Sequence, residues 1–199
     1  MFFLKKNGTG GKNTNLHGLK FEKETDLSYR IQKDLGNKYR LQEHEPHIKS
    51  TSPVYDVIRL KDNKRIGVLA KQLTFYPIMK ELYGLDNVNK KRWKPDEAFF
   101  NLETNTVYIV EKKWQNGNGS VDEKIFGFVN KRRLYQNNFN QLEKEPKVTV
   151  QFCALFNKSW WLQGNNGKNE KAYQDYFDNL RIDGIKIFFD NYDYWWFGL

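Results

Sequence analysis

The chain contains one cysteine, Cys153, so no disulfide can form within it. Cys153 stands in an apolar run and reads as a small buried hydrophobe, and a lone thiol suits a reducing compartment. Histidines are equally scarce, at three. His44 and His47 flank Glu45, but with a single cysteine and no helical His pair they do not make a closed zinc site. Long apolar runs are missing too. Nothing approaches the roughly 18 residues of a membrane helix, and Met1-Phe2-Phe3-Leu4 gives way at once to Lys5-Lys6, too short for a signal peptide. The segment Gly8-Thr9-Gly10-Gly11-Lys12-Asn13 fails as a phosphate loop: Lys6 stands where the first glycine belongs, and Asn13 where Ser or Thr belongs. These shortages exclude membrane, disulfide-scaffold and mononucleotide-loop classes. What remains is a cytoplasmic protein with no organic cofactor.

No internal repeat or low-complexity linker occurs. A length of 199 residues suits one domain and is short for two, so residues 1–199 read as a single domain whose Gly-, Asn- and Lys-rich start, 1–18, is a flexible arm. Aromatic residues reach 16%, which implies a ring-rich core or interface. The net charge of +9 points to a polyanionic partner.

Hydrophobic periodicity predicts a helix from Lys20 to Leu35 and a short strand from Tyr39 to Gln42. A hairpin follows, Val54–Leu60 with Arg65–Leu69, then a short helix from Thr74 to Tyr83. A second hairpin pairs Ala98–Leu102 with Thr106–Glu111 around Glu103-Thr104-Asn105. A long helix is expected from Val121 to Asn137, a central strand from Lys147 to Phe156, a helix from Lys171 to Leu180 and a last strand from Gly184 to Phe189. That order gives an α/β domain with a central mixed sheet flanked by helices. The dense aromatics at Trp160-Trp161 and from Tyr192 to Phe197 belong to the core or to a subunit interface.

Four acidic-x-Lys triplets occur, at Asp62, Glu111, Asp122 and Glu145. Only the one at Glu111 ends a four-residue apolar strand run, Val107–Val110, and only it follows a Pro-Asp pair, Pro95-Asp96, at hairpin distance. Glu111 and Lys113 are two apart on one strand, hence on one face. The hairpin returns Asp96 to the side of Glu111. Two carboxylates and an ammonium therefore converge, a set suited to phosphodiester hydrolysis. Asp96 and Glu111 offer hard oxygens to Mg²⁺, which lowers the pKa of a bound water and neutralises phosphate charge. Lys113 orients that water and stabilises the transition state.

This Pro-Asp…Glu-x-Lys arrangement resembles the PD-(D/E)xK nuclease superfamily, over roughly residues 20–156. The resemblance implies a restriction-endonuclease-like fold, the Lys112 carbonyl as a third metal ligand, Mn²⁺ as a substitute for Mg²⁺, and Ca²⁺ supporting binding alone. Many members also carry a helical glutamate aimed at the metal, here Glu22, although a Glu in a first helical turn would also complement the helix dipole. The stretch Gly119-Ser120-Val121-Asp122-Glu123-Lys124-Ile125 looks like one in several type II restriction endonucleases. From the residues alone, Ser120 and Glu123 form a capping box, with Val121, Ile125, Phe128 and Val129 as the buried stripe.

The expected DNA contacts are Gln115, on the Glu111 and Lys113 face, the neighbouring Asn116 and Asn118, and Lys124, Lys131 and Arg132 along the helix. The function so implied is a Mg²⁺-dependent, site-specific endonuclease of double-stranded DNA. It would act as a homodimer, with a cognate DNA methyltransferase in the same organism. The alternatives are a junction resolvase, a repair nickase or a phage exonuclease of the same superfamily, or a DNA-binding module without catalysis.

Overall fold

In the computed structural model, residues 12–46, 48, 50–117, 121–143 and 145–199 are described. Seven strands form one sheet in sequence order: β1 Tyr39–Glu43, β2 Tyr55–Arg59, β3 Lys64–Ala70, β4 Glu97–Asn101, β5 Thr106–Lys113, β6 Thr149–Phe156 and β7 Ile185–Phe189. Neighbours from β1 to β5 run antiparallel, whereas β5, β6 and β7 run parallel. The tight turns after β2 and β4 each use an asparagine in the left-handed conformation, Asn63 at φ 53° and Asn105 at φ 48°, where a short polar side chain is tolerated best after glycine. In the second turn Asn101 Oδ1 also accepts from the backbone nitrogens of Glu103 and Thr104, at 2.9 and 3.1 Å.

Strand alternation divides the interior in two. On one face Val107 and Ile109 of β5 join Phe152, Ala154 and Phe156 of β6 beneath helices α3 Phe75–Tyr83, α5 Phe128–Phe139 and α8 Gln174–Ile182. On the other, Tyr108 and Val110 join Cys153 and Leu155 against α1 Lys12–Glu24, α2 Leu27–Leu35 and a closing 3₁₀ turn, Tyr194–Phe197. Cys153 is free and buried. Most of the aromatic clusters enter these cores, with Trp161, Tyr192 and Phe197 buried, while Trp195 is exposed. Among the described residues, no helix is long and apolar enough to cross a membrane.

Several elements depart from the sequence expectation. Residues 12–18, expected within a flexible arm, are the first part of α1; residues 1–11 lie outside the described residues. The single helix expected from Lys20 to Leu35 is two, broken at Thr25-Asp26. The break is held from across the sheet. Lys112 Nζ donates to the Thr25 and Glu22 carbonyls, at 2.8 and 3.3 Å, at the end of α1. The Glu97 carboxylate accepts from Leu27 N at the start of α2, at 3.1 Å. Asp26 caps α2 through Tyr29 N. The helix expected over Val121–Asn137 also divides, into α4 Val121–Ile125 and α5, at Phe126-Gly127. Glycine is a poor helix former, and Gly127 N turns back to Lys124 O instead. The expected Ser120 cap lies outside the described residues. Two short helices the periodicity does not reveal, α6 Lys158–Trp161 and α7 Lys168–Ala172, precede α8.

His44 is structural. Its Nδ1 meets Asp56 at 2.8 Å and its Nε2 meets Glu81 at 2.9 Å, tying the end of β1 to β2 and α3. His47 lies outside the described residues. Burial opposes the charge of His44, but the hydrogen bonds to Glu81 and Asp56 outweigh it and raise its pKa above 6.5. A raised folded-state pKa contributes stability that is complete below the unfolded value and is lost as pH rises through the folded one. The difference in urea midpoint between the protein and His44→Gln is therefore largest below about pH 6 and shrinks toward alkaline pH. A pH-independent difference would contradict this.

Lys112 Nζ and Glu97 Oε2 form a buried pair at 2.8 Å. Removing one partner strands the other charge, so Lys112→Ala is expected to lose about 3–5 kcal/mol of stability. Urea denaturation followed by circular dichroism measures this, and an unchanged midpoint would refute the anchoring role.

Candidate active site

The β4–β5 register pairs Glu97 with Val110, so Asp96, one residue earlier, meets the strand at Glu111. Lys112 N donates to Asp96 Oδ2 at 2.7 Å and closes that end of the hairpin. Period-two alternation then sends Glu111 and Lys113 to the α5 face and Lys112 to the α1–α2 face. The structure thus brings Asp96, Glu111 and Lys113 together. Lys113 Nζ lies 3.2 Å from Glu111 Oε2 and 3.7 Å from Asp96 Oδ2. It also donates to the Lys112 carbonyl at 2.8 Å, which engages one lone pair of the carbonyl expected to be a ligand.

Glu111 is almost wholly enclosed. Its Oε2 accepts from Lys113 and, at 2.8 Å, from Lys131 of α5. Its Oε1 is buried without a hydrogen-bond partner. One turn beyond Lys131 on the same helix face lies Tyr135, whose hydroxyl is also buried and unpartnered. Burial pushes the Tyr135 phenol up, and Glu111, Tyr76 and Asp96 push it further. Trp93 forms one wall, its ring centroid 5.4 Å from Lys131 Nζ. Burial works against the charge on Lys113, but Asp96 and Glu111 overcome it and hold its pKa above the ordinary lysine value. Lys113 is therefore an ammonium at neutral pH and donates protons to hydrogen bonds.

Glu22 lies in the last turn of α1, contrary to the expectation that it opens a helix. An acid there opposes the dipole, so helix initiation does not account for it. Glu22 shares a cavity of about 310 Å³ with Asp96, Glu97, Lys71 and Lys112. Its pKa is raised by burial and by Asp96, against the lowering effect of Lys112 and Lys113.

The residues expected to touch DNA fare differently. β5 ends at Lys113, so Gln115 does not share a strand face with Glu111 and Lys113. It is buried, its N donating to Asn157 Oδ1 at 2.8 Å and its Nε2 to Gly117 O at 2.7 Å, and it braces a turn. Asn116 is exposed, and Asn118 lies outside the described residues. Lys124 is exposed on α4, but the break at Phe126-Gly127 removes it from the Lys131 face. Lys131 belongs to the carboxylate cluster. Arg132 points elsewhere, donating to the Asp183 carbonyl at 2.9 Å.

Tyr135, Tyr76 and Trp93 are additions that the sequence pattern alone does not single out. Phe128, Lys131 and Tyr135 follow helical spacing, and that spacing is the signal that places the lysine and the tyrosine above the core.

Among the described residues, no three His, Cys, Asp or Glu side chains are grouped to hold a metal ion. The candidate donors are an open pair of carboxylates. The set still fits a hard divalent cation, because the buried Glu111 Oε1 lacks any partner and Asp96 adds a second anionic oxygen. No family model, curated protein or solved structure matches the chain.

The charge on Lys113 can be read directly. With lysines ¹³C-dimethylated and followed by NMR, Lys113 should titrate above the exposed lysines. A transition below 10.5, the unperturbed value, would overturn its assignment as a permanent ammonium.

Proposed function

We propose that the chain is a metal-dependent endonuclease that hydrolyses phosphodiester bonds in double-stranded DNA, with Asp96, Glu111 and Lys113 at its centre. The observation that carries this reading is the convergence of Asp96, Lys113 and Lys131 on a buried Glu111 that keeps one oxygen unpartnered. Asp96 and Glu111, with the Lys112 carbonyl, would hold Mg²⁺ or Mn²⁺, which supplies a polarised water and charge neutralisation when bound. Lys113 orients the attacking water and, with Lys131, faces the charge that grows on the phosphoryl oxygens. The Tyr135 hydroxyl is a further donor for that water or for a phosphate oxygen. The surplus of cations draws in the polyanion. The products carry 5′-phosphate and 3′-hydroxyl ends, as the sequence resemblance implies. Site-specific cutting by a homodimer, in the manner of a type II restriction endonuclease, is the corresponding biological form. A second reading within the same chemistry is DNA chosen by structure rather than by base sequence, and a partly exposed indole beside Lys131 favours it.

The experiment is cleavage of mixed DNA substrates in Mg²⁺, with binding measured in Ca²⁺. Asp96→Ala and Glu111→Ala should each lose roughly a hundredfold to a thousandfold in rate, on the order of the loss when a charge-stabilising group is removed from an active site. Binding should change little. Near-normal cutting by either variant would refute the assignment.

A further inference from the structure

Residues 84–96 connect α3 to β4 and carry, at 90–94, charge that no element of the fold neutralises. Lys90, Lys91, Arg92 and Lys94 are exposed and surround Trp93, itself 40% exposed. Among the described residues none of the four cations makes an ion pair or a side-chain hydrogen bond. Four like charges in five residues repel one another, and a polyanion relieves the repulsion.

The segment is also firmly moored. Val88 N and Asn89 Nδ2 donate to Asn138 Oδ1 of α5, at 3.0 and 3.3 Å, and Asn89 Nδ2 reaches the Leu134 carbonyl at 2.6 Å. The Tyr76 hydroxyl of α3 donates to the Trp93 carbonyl. Arg92 adopts φ 51° and its N donates to the Asn89 carbonyl at 3.0 Å. A long side chain seldom takes that backbone conformation, and here it turns the chain into Trp93-Lys94-Pro95-Asp96. The Trp93 centroid is 5.8 Å from Lys91 Nζ and 5.4 Å from Lys131 Nζ, and Lys131 is the ammonium on Glu111. A partly exposed indole, with two ammoniums over its ring, is therefore fixed one side chain away from the buried carboxylate.

Resting on the structure-selective form of the nuclease reading above, we infer that residues 90–94 clamp the DNA strand being cut, the cations on its phosphates and Trp93 stacked on an unpaired base next to the scissile phosphate. Every base offers a π-face, so an aromatic platform binds without regard to sequence. Inside an uninterrupted duplex both faces of each base are covered by its neighbours, and exposing one costs unstacking. That cost is smallest where the base is already unpaired. The geometry therefore selects DNA with an unpaired nucleotide at the cut over continuous duplex.

Fluorescence anisotropy in Ca²⁺ tests this with two labelled duplexes that differ by one unpaired nucleotide. The protein should prefer the interrupted duplex by roughly tenfold. Trp93→Ala should erase that preference, and Trp93→Phe should keep part of it. Replacing Lys90, Lys91, Arg92 and Lys94 together by alanine should reduce the salt dependence of binding on both DNAs, by about 0.9 in log–log slope for each phosphate no longer neutralised. Thermal melts confirm that each variant folds. Equal affinity of the unaltered protein for the two duplexes, or an unchanged slope in the fourfold variant, overturns the clamp. Cleavage in Mg²⁺ is scored separately. If the protein cuts DNA while these variants bind and cut as it does, the clamp falls and the nuclease reading stands. If Trp93→Ala erases the preference but no DNA is cut in Mg²⁺ or Mn²⁺, binding of an unpaired base by residues 90–94 stands and the nuclease reading falls.

Discussion

A single buried ion pair, Lys112 with Glu97, locks the sheet to the helices that cover one of its faces. The ammonium engages the carbonyl end of α1 and the carboxylate engages the amide end of α2. Each charge meets the helix terminus whose dipole it complements. Burying two charges costs several kcal/mol per ion unless their remaining donors and acceptors are satisfied. Here the backbone of the helix break satisfies them, and Lys71 adds a third charge 3.5 Å from Glu97. The arrangement tolerates no slip in register. A shift of one residue in β5 would send Lys112 to the α5 face and Glu111 into the apolar packing of Phe21, Leu27 and Leu155. The same lock therefore fixes Glu111 and Lys113 on the opposite face, beside Asp96.

On that opposite face the electrostatics are set by inequality. Asp96 and Glu111 bring two carboxylates beside the ammoniums of Lys113 and Lys131. Both ammoniums favour one Glu111 oxygen, which leaves the other in a buried position with nothing to balance it. An unpartnered anionic oxygen in a poorly hydrated site favours a hard cation over a further side chain. On the proposed nuclease reading the lysines answer the opposite need, facing charge that appears only as a phosphate reacts. Phe128 lies beneath both ammoniums, 5.6 Å from Lys113 Nζ and 5.9 Å from Lys131 Nζ, and limits where they can move.

How much of this is legible in the residues follows the range of the forces involved. Strands whose alternation or apolar runs are set by local burial are visible, and so is the two-residue spacing that gives Glu111 and Lys113 one face. The break at Thr25-Asp26 is not, because the groups that hold it lie 70 and 87 residues away. Lys131 reads as part of a DNA-facing surface because Lys124, seven residues earlier, would share its side of a continuous helix. The interruption at Phe126-Gly127 resets that phase. The expectation for Gln115 extends β5 two residues past its end, where Asn157 instead captures both its backbone nitrogen and its carbonyl. At Thr25-Asp26 and at Gln115 a distant partner decides the outcome, whereas at Phe126-Gly127 a local glycine does.

The approach to the site obeys a different constraint from its interior. Burial and pairing fix Glu111 and Lys113, but residues 90–94 have neither, and an exposed basic segment ordinarily gains entropy by fraying. Its anchors are uncharged: two asparagines and a tyrosine bond it to α5 and α3. Neutral anchors leave all four cations unspent and are weakened little by salt, whereas ion-pair anchors would have neutralised the charge the segment displays. The ordering of Trp93 is thereby completed during folding rather than during binding, which removes that part of the entropy cost of association. The same helix that supplies Lys131 to Glu111 supplies Asn138 to this segment, so a displacement of α5 would move the Lys131 ammonium and the indole together.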